Sequence, residues 1–153
     1  MVNKEFITDS EEKTNCLAEQ FAAIAKKGDV FALFGTLGVG KSVFSRAFIK
    51  KLTAAEEVPS PTFTLVQSYP FQDMEIYHFD LYRLKSPQEI FELGFEEAVY
   101  QGISLIEWPE KAGNFLPKDI FQIHISMQEN QRIFNIMVTS AEKAERLEQI
   151  NDC

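Results

Sequence analysis

The chain has 153 residues, of which 45% are hydrophobic and 25% charged, and it carries a formal net charge of −8. This length accommodates one hydrophobic core and is too short for two ordinary domains, so we predict a single domain over residues 1–153. The composition excludes an intrinsically disordered chain, and the acidic balance disfavours direct, non-specific binding to DNA or RNA.

Two absences in the sequence bear on where the protein works. No apolar run reaches the roughly 18 to 20 residues that are needed to span a bilayer. The N-terminal segment, residues 1–14, is polar and acidic and lacks the apolar centre of a signal peptide. We therefore expect a cytoplasmic protein without a membrane partner.

The cysteines and histidines are few and scattered. Cys16 falls in a predicted helix and Cys153 is the last residue, and their spacing matches neither a close pair nor a zinc site. We expect Cys16 to be a small buried side chain and Cys153 to be a frayed chain end. His78 and His124 each stand alone in an apolar run, so no histidine metal site is predicted.

In chain order, the first predicted element is a helix. Cap oxygens at residues 8–10 precede two glutamates, and large apolar residues then recur on one helical face. The continuously apolar run Val30–Phe34 follows, which is typical of a strand buried on both faces of a parallel sheet. It leads directly into Gly35–Ser42, the glycine-rich stretch GTLGVGKS. Apolar residues at helical spacing over 43–52 predict a second helix, whose first turn contains the lysine and serine of that stretch.

The second half of the chain alternates hairpins with shorter elements. Pro59 and Pro61 indicate a loop, because proline fits neither a regular helix nor a central strand. Alternation in Thr62–Tyr69 and Glu75–Phe79 then predicts an antiparallel hairpin, and hence a mixed sheet. Further elements are predicted from capping and hydrophobic patterns: a capped helix from Ser86 to Leu93–Gly94, a buried strand at Ile103–Ile106, a hairpin of Ile120–Met127 and Ile133–Thr139, and a C-terminal helix from Ser140.

The glycine-rich stretch matches the pattern G-x-x-x-x-G-K-[ST] at Gly35, Gly40, Lys41 and Ser42. Glycines let backbone N–H groups surround phosphate oxygens, the lysine reaches the β- and γ-phosphates, and the serine binds Mg²⁺. A structural turn is the alternative, but a buried strand precedes the stretch and a helix follows it, as a nucleotide site requires. We therefore predict an α/β P-loop NTPase domain with a mixed parallel and antiparallel central sheet flanked by helices.

Magnesium needs a second protein carboxylate, usually at the end of a buried strand beside the phosphate loop. Asp80 and Glu107 both end apolar strands, and each could instead be an ordinary solvated acid. The residues alone do not rank them; one could hold the metal while the other orients water. The segment PSPTFT, residues 59–64, lies where a γ-phosphate sensor is expected, although an edge-strand entry is the alternative.

Four ordered motifs together resemble one known family. After GTLGVGKS come SPTFTL (Ser60–Leu65), YHFDLYRL (Tyr77–Leu84) and IEWPEK (Ile106–Lys111). This order is similar to that of the bacterial TsaE family, also called YjeE, whose members are small ATPases of the tRNA threonylcarbamoyladenosine modification pathway. The resemblance covers almost the whole chain and favours the switch-like interpretation of PSPTFT.

The resemblance implies specific roles for individual residues. The nucleotide-phosphate loop of the family corresponds to Leu37, Gly38, Val39, Gly40, Lys41 and Ser42. Ser42 and Glu107 correspond to its magnesium ligands, and Asp80 corresponds to its catalytically important aspartate. Thr62 matches the threonine of the switch-like segment, so Asp80, Lys41 and Thr62 are the implied catalytic group.

Four further matches imply contacts to the nucleotide, and three of them have an ordinary structural alternative. Trp108 matches the aromatic residue after the metal-binding glutamate, and could equally be core packing. Glu11 and Glu110 match positions that line the nucleotide, while Glu11 could be a first-turn helix acid. Arg132 matches an arginine that approaches from the late hairpin, where a solvated charge is the alternative. The family usually has aspartate where Thr36 stands, which leaves the hydrolysis rate and metal preference open.

The implied function is Mg²⁺-dependent binding and slow hydrolysis of ATP. By resemblance, this cycle serves the TsaD and TsaB pair, which transfers threonylcarbamoyl to adenosine in tRNA, so the acidic chain contacts tRNA only indirectly. A small-molecule kinase is a rival class, but no glycine-flanked arginine cluster forms a lid. A nucleotide-gated assembly factor with incidental hydrolysis is the third possibility.

Overall fold

One mixed sheet organises the chain in the computed structural model, which describes residues 1–36 and 38–153. Its strands are β1 (Val2–Thr8), β2 (Val30–Phe34), β3 (Val66–Phe71), β4 (Met74–Asp80), β5 (Ile103–Glu107), β6 (Phe121–Gln128) and β7 (Gln131–Val138). They lie in the order β1-β7-β6-β2-β5-β4-β3. The pairs β6–β2, β2–β5 and β5–β4 are parallel, and the outer pairs are antiparallel. The predicted α/β class with a mixed sheet is confirmed.

Helices cover both faces of this sheet. They are α1 (Glu11–Ile24), α2 (Lys41–Leu52), α3 (Phe95–Gln101) and α4 (Ala141–Leu147), with 3₁₀ helices at Pro87–Leu93 and Pro109–Phe115. The Ser10 and Ser140 hydroxyls accept hydrogen bonds from N–H groups three residues later, so both predicted helix starts are confirmed. None of the helices in the described ranges has the length and apolarity that crossing a bilayer requires.

Two apolar layers fill the space between the helices and the sheet. Alternate residues of β2 point into each layer: Phe31 and Leu33 pack with α1 and α2, whereas Val30 and Ala32 pack with α3. Phe31 also stacks on Phe121 of β6, with ring centroids 4.8 Å apart. This burial on both faces confirms the predicted β2. Because β2, β5 and β4 run parallel, their carboxyl ends lie together at the same end of the strands.

The N-terminal segment differs from the prediction, because it contains an unpredicted strand. Val2–Thr8 pairs antiparallel with β7 at the sheet edge. Phe6 and Thr8 are buried while Ile7 is half exposed, so the segment has one core face. The polar residues 3–5 come before Phe6, so the sequence of the segment shows no clear alternation.

The predicted hairpin is confirmed, but its first strand begins later than predicted. Residues 62–65 form a turn instead of a strand, because the N–H of Leu65 donates to the carbonyl of Pro61 over 2.6 Å. Leu65 itself has a left-handed φ of 70°. This turn lets the segment before β3 fold over the end of β4.

The prediction for the cysteines was wrong, because Cys16 and Cys153 form a disulfide with a Cα–Cα distance of 6.1 Å. The chain end packs against α1, where the Gln20 side chain makes two hydrogen bonds with the backbone of Asn151. The sequence separation of 137 residues carried no sign of this proximity.

Candidate functional site

The loop between β2 and α2 has a backbone that needs glycine at two positions. A Cβ on Gly35 would lie 2.6 Å from Val39 Cγ1 and 2.9 Å from the carbonyl oxygen of Ile125. Gly40 has a left-handed φ of 117°, and a Cβ there would lie 3.0 Å from Arg132 Nε. The glycines of the motif therefore permit both the tight turn and the close approach of β7.

Helix α2 begins at this loop with its first N–H groups directed away from the helix. Gly40 is the N-cap residue, and no side-chain oxygen among the described residues caps it. The first intrahelical bond that follows the cap is from the N–H of Phe44 to the carbonyl of Gly40, at 3.1 Å. Uncapped N–H groups and the helix dipole together attract anions. The helix start therefore suits a phosphate group.

Lys41 lies across the loop. Its Nζ donates a 2.6 Å hydrogen bond to the carbonyl of Gly35 and lies 3.4 Å from the centroid of the Trp108 ring. Burial lowers the pKa of Lys41, and the negative charges of Glu107, Glu110 and Asp80 partly oppose this shift. Trp108 has a left-handed φ of 58°, which is unusual for an aromatic residue.

The two strand-end carboxylates are neighbours. Asp80 of β4 and Glu107 of β5 occupy partner positions in the parallel ladder, and both are buried. The Ser42 hydroxyl donates to Glu107 Oε1 over 3.2 Å. One hydroxyl and carboxylate oxygens form a hard donor set that suits Mg²⁺, which commonly binds one or two carboxylates plus substrate phosphates. The residues present therefore fit a magnesium ion.

Hydrogen bonds join the segment that contains Thr62 to the end of β4. Thr62 Oγ1 donates to Asp80 Oδ2 over 3.1 Å, and the N–H of Asp80 donates to the carbonyl of Leu65 over 2.9 Å. Asp80 Oδ1 accepts from the N–H of Tyr82 at 3.0 Å. Any movement of Thr62 therefore alters the hydrogen bonding of the Asp80 carboxylate.

These elements enclose a cavity of about 210 Å³. Most of the residues with predicted roles line it: Gly38, Gly40, Lys41, Ser42, Thr62, Asp80, Glu107, Trp108 and Arg132. Val39 is buried beneath the loop, and its carbonyl accepts a 2.8 Å hydrogen bond from Arg132 Nε. Leu37, also predicted to bind phosphate, lies outside the described residues.

Comparisons with known proteins identify the family of this chain. The family model "Threonylcarbamoyl adenosine biosynthesis protein TsaE" matches residues 8–134. The chain belongs to the TsaE family.

Relatives named tRNA threonylcarbamoyladenosine biosynthesis protein TsaE are similar over most of the chain. The Rickettsia bellii protein is 43% identical over 138 residues, which are 89% of this chain and 96% of the relative. The Bacillus subtilis protein is 39% identical over 119 residues, which are 77% and 74% of the respective chains. The crystal structure of Bacillus subtilis YdiB superimposes with a TM-score of 0.79 at 28% identity, covering 97% of this chain and 94% of that one. This likeness supports the P-loop fold class.

Two predicted residues of this TsaE-family chain lie apart from the cavity lining. Glu11 is in the first turn of α1 and lines a neighbouring cleft of about 380 Å³ between α1 and α2. Val43 borders both the cleft and the cavity. Glu110 is exposed in the 3₁₀ helix after Trp108, and only its charge acts on Lys41. Their roles toward a nucleotide stay predictions.

Sequence reasoning missed one residue that touches the site. His78 Nε2 lies 2.6 Å from Glu107 Oε2, and the imidazole is only 2% exposed. A signal was available, because His78 is two residues before Asp80 and thus faces the same side of β4. His124 has a different environment: it stacks on Phe34, with ring centroids 4.4 Å apart.

Proposed function

We propose that this chain binds ATP with Mg²⁺ and hydrolyses it slowly, as the ATPase of tRNA threonylcarbamoyladenosine synthesis. One observation carries the proposal: Lys41, Ser42, Thr62, Asp80 and Glu107, from four separate sequence motifs, border one cavity at the start of α2. A cationic side chain, free helix N–H groups and paired carboxylates are what phosphoryl transfer requires.

The phosphate loop and Lys41 bind the phosphates. The N–H groups at the start of α2 would donate to phosphate oxygens, and Lys41 would exchange its hydrogen bond to the Gly35 carbonyl for phosphate oxygens. This exchange would cost little free energy, because the ammonium would replace a neutral carbonyl acceptor with a charged phosphate oxygen, which forms a stronger hydrogen bond.

Ser42 and Glu107 would hold the metal, whose charge would offset the negative charge of the phosphate oxygens. The hydrogen bond between Ser42 Oγ and Glu107 Oε1 supports this assignment, because it directs both oxygens into the same part of the cavity. The Ser42 hydroxyl has lone pairs, so it could serve as a metal ligand while Glu107 supplies a carboxylate oxygen.

Asp80 and Thr62 act on the attacking water. The Asp80 carboxylate is fixed by the Tyr82 N–H on one oxygen and by Thr62 on the other. A fixed carboxylate can orient a water molecule for in-line attack. Thr62 lies on the segment over the cavity, so its hydroxyl can leave the Asp80 carboxylate and donate to a γ-phosphate oxygen instead. This hydrogen bond would form only with a nucleotide that carries a γ-phosphate.

The partners are proteins of the TsaD and TsaB type, and the site of action is the cytoplasm. The names of the relatives, which refer to tRNA threonylcarbamoyladenosine biosynthesis, support a place in this machinery. The net charge of −8 suits a component that leaves tRNA binding to its partners.

Isothermal titration with a non-hydrolysable ATP analogue tests the assignment of the loop. Lys41→Ala is expected to abolish measurable binding, because it removes the cation that faces the phosphates. Lys27→Ala is the matched control, since Lys27 is exposed next to the amino end of β2, at the opposite edge of the sheet. An unchanged affinity of the Lys41 variant would contradict the proposal.

Turnover measurements separate binding from chemistry. Glu107→Ala should weaken the dependence of binding on Mg²⁺, whereas Asp80→Ala should spare binding and lower turnover by about 100-fold or more. Assays of the chain alone, with candidate metabolites and with the TsaD and TsaB pair distinguish the rival functions. Phosphorylation of a metabolite would indicate a kinase, and complex formation without turnover would indicate a nucleotide-gated assembly factor.

A further inference from the structure

A buried histidine lies directly behind the carboxylate of Glu107. Ile76, His78 and Asp80 alternate along β4 on the face that packs against α1 and α2, and Glu107 of β5 points to the same face. His78 Nε2 and Glu107 Oε2 are 2.6 Å apart, and both side chains are at most 4% exposed. The contact is therefore a short hydrogen bond shielded from water.

Glu107 is held by two different groups, one for each carboxylate oxygen. Ser42 donates to Oε1 on the cavity side, and His78 occupies Oε2 on the buried side. A carboxylate that binds a metal is ionised and only accepts hydrogen bonds, so this role of Glu107 requires the tautomer in which His78 Nε2–H is the donor. With Oε2 fixed, the Glu107 side chain is restricted to rotamers in which Oε1 faces Ser42.

Packing alone does not account for an imidazole at this position. His78 Nδ1 is buried and has no hydrogen-bond partner among the described residues. Burying an unpartnered polar atom is unfavourable, and an apolar side chain of similar volume would fill the space without this cost. The Glu107 contact is the feature of the site that requires a nitrogen donor.

We propose that His78 is a positioning residue that fixes Glu107 for divalent-metal binding. This inference rests on the proposed function, because it assigns Glu107 to the metal. Partners that orient metal-binding carboxylates from behind typically change metal affinity by about 10- to 100-fold when they are removed. His78 itself does not touch the metal or the nucleotide.

The test measures Mn²⁺ binding by electron paramagnetic resonance, with a non-hydrolysable ATP analogue bound to the full chain. His78→Leu keeps the volume and removes the donor, and we expect it to raise the Mn²⁺ Kd by about 10- to 100-fold. The analogue affinity measured without divalent ions should stay within about twofold, since no phosphate contact is lost. If the role of His78 were purely structural, the leucine variant would not weaken Mn²⁺ binding while leaving the analogue affinity unchanged.

Two further variants keep the test decisive if the leucine variant does not fold. His78→Gln places an N–H donor near the position of Nε2 and should restore Mn²⁺ affinity to within about threefold of the original. His78→Asn carries the same donor on a shorter side chain that does not reach Glu107, so it should lose affinity as the leucine variant does. His124→Leu is the matched control, and it should leave the Mn²⁺ Kd unchanged.

Failure of this inference is distinguishable from failure of the proposed function. If the wild-type chain binds the analogue and Mn²⁺ while the leucine or asparagine variant at His78 retains full Mn²⁺ affinity, the positioning role is overturned and the ATPase proposal stands. Equal losses in the glutamine and asparagine variants would also overturn it. If the wild-type chain binds neither analogue nor metal, both proposals are overturned together.

Discussion

Reducing the disulfide between Cys16 and Cys153 should destabilise the fold mainly by increasing the conformational entropy of the unfolded chain. The bridge links residues 137 positions apart. For a closed loop of this length, the chain-entropy relation gives a stabilisation of about 5 kcal/mol at 25 °C. Measured values are commonly about 2–4 kcal/mol, because the unfolded chain retains some structure. We expect a loss in this measured range. The two hydrogen bonds between Gln20 and Asn151 keep the chain end in place in the folded state when the bridge is open, so the loss reflects the unfolded chain.

Urea unfolding followed by far-UV circular dichroism, with and without dithiothreitol, measures this loss. With a slope of about 2 kcal/mol per molar urea, the midpoint should fall by about 1–2 M on reduction. Cys153→Ser should unfold like the reduced wild-type chain and should not respond to dithiothreitol. If the midpoint of the wild-type chain is the same under both conditions, or if alkylation under denaturing conditions finds two free thiols before reduction, the reasoning is refuted.

Other parts of the fold give predictions of different kinds. Asp29→Ala should cost about 3–5 kcal/mol of unfolding free energy, because it leaves the buried Arg146 guanidinium without its bidentate partner. Asp9→Ala removes only an exposed ion pair with Lys13 and should cost no more than about 1 kcal/mol in the same urea titration. Glu142 accepts from Arg146, which lowers the pKa of this glutamate below its ordinary value of 4.5. Its stabilising effect is therefore present above pH 4.5 and lost as the pH falls below it, so Glu142→Gln and wild-type stabilities should converge in acid titrations.

The elements that flank the glycine-rich loop could be predicted because their determinants are local. Val30–Phe34 is apolar throughout, and the glycines that follow it cannot be replaced without a steric clash or a strained φ. The capped helix starts at Ser10 and Ser140 are local for the same reason. The fold class followed from the order of such segments along the chain.

Features that depend on tertiary contacts could not be predicted. The strand β1 is defined by its pairing with β7, more than 120 residues away, and its own sequence is mostly polar. The partner of Cys16 is set by where the chain end packs on α1. His78 was predicted only to stand alone in an apolar run, outside any metal site. Its spacing from Asp80 indicates the side of β4 that it faces, but its contact with Glu107 depends on the register of β4 against β5.

The position of the Lys41 ammonium against Trp108 has an optical consequence. Trp108 is the single tryptophan of the chain, so all indole emission comes from the ring that this cation covers. If nucleotide binding moves the ammonium toward a phosphate, as proposed, the electric field at the indole changes and the emission wavelength shifts with it. The molecule therefore carries an intrinsic fluorophore at its own loop, and stopped-flow mixing can follow occupancy without an attached dye.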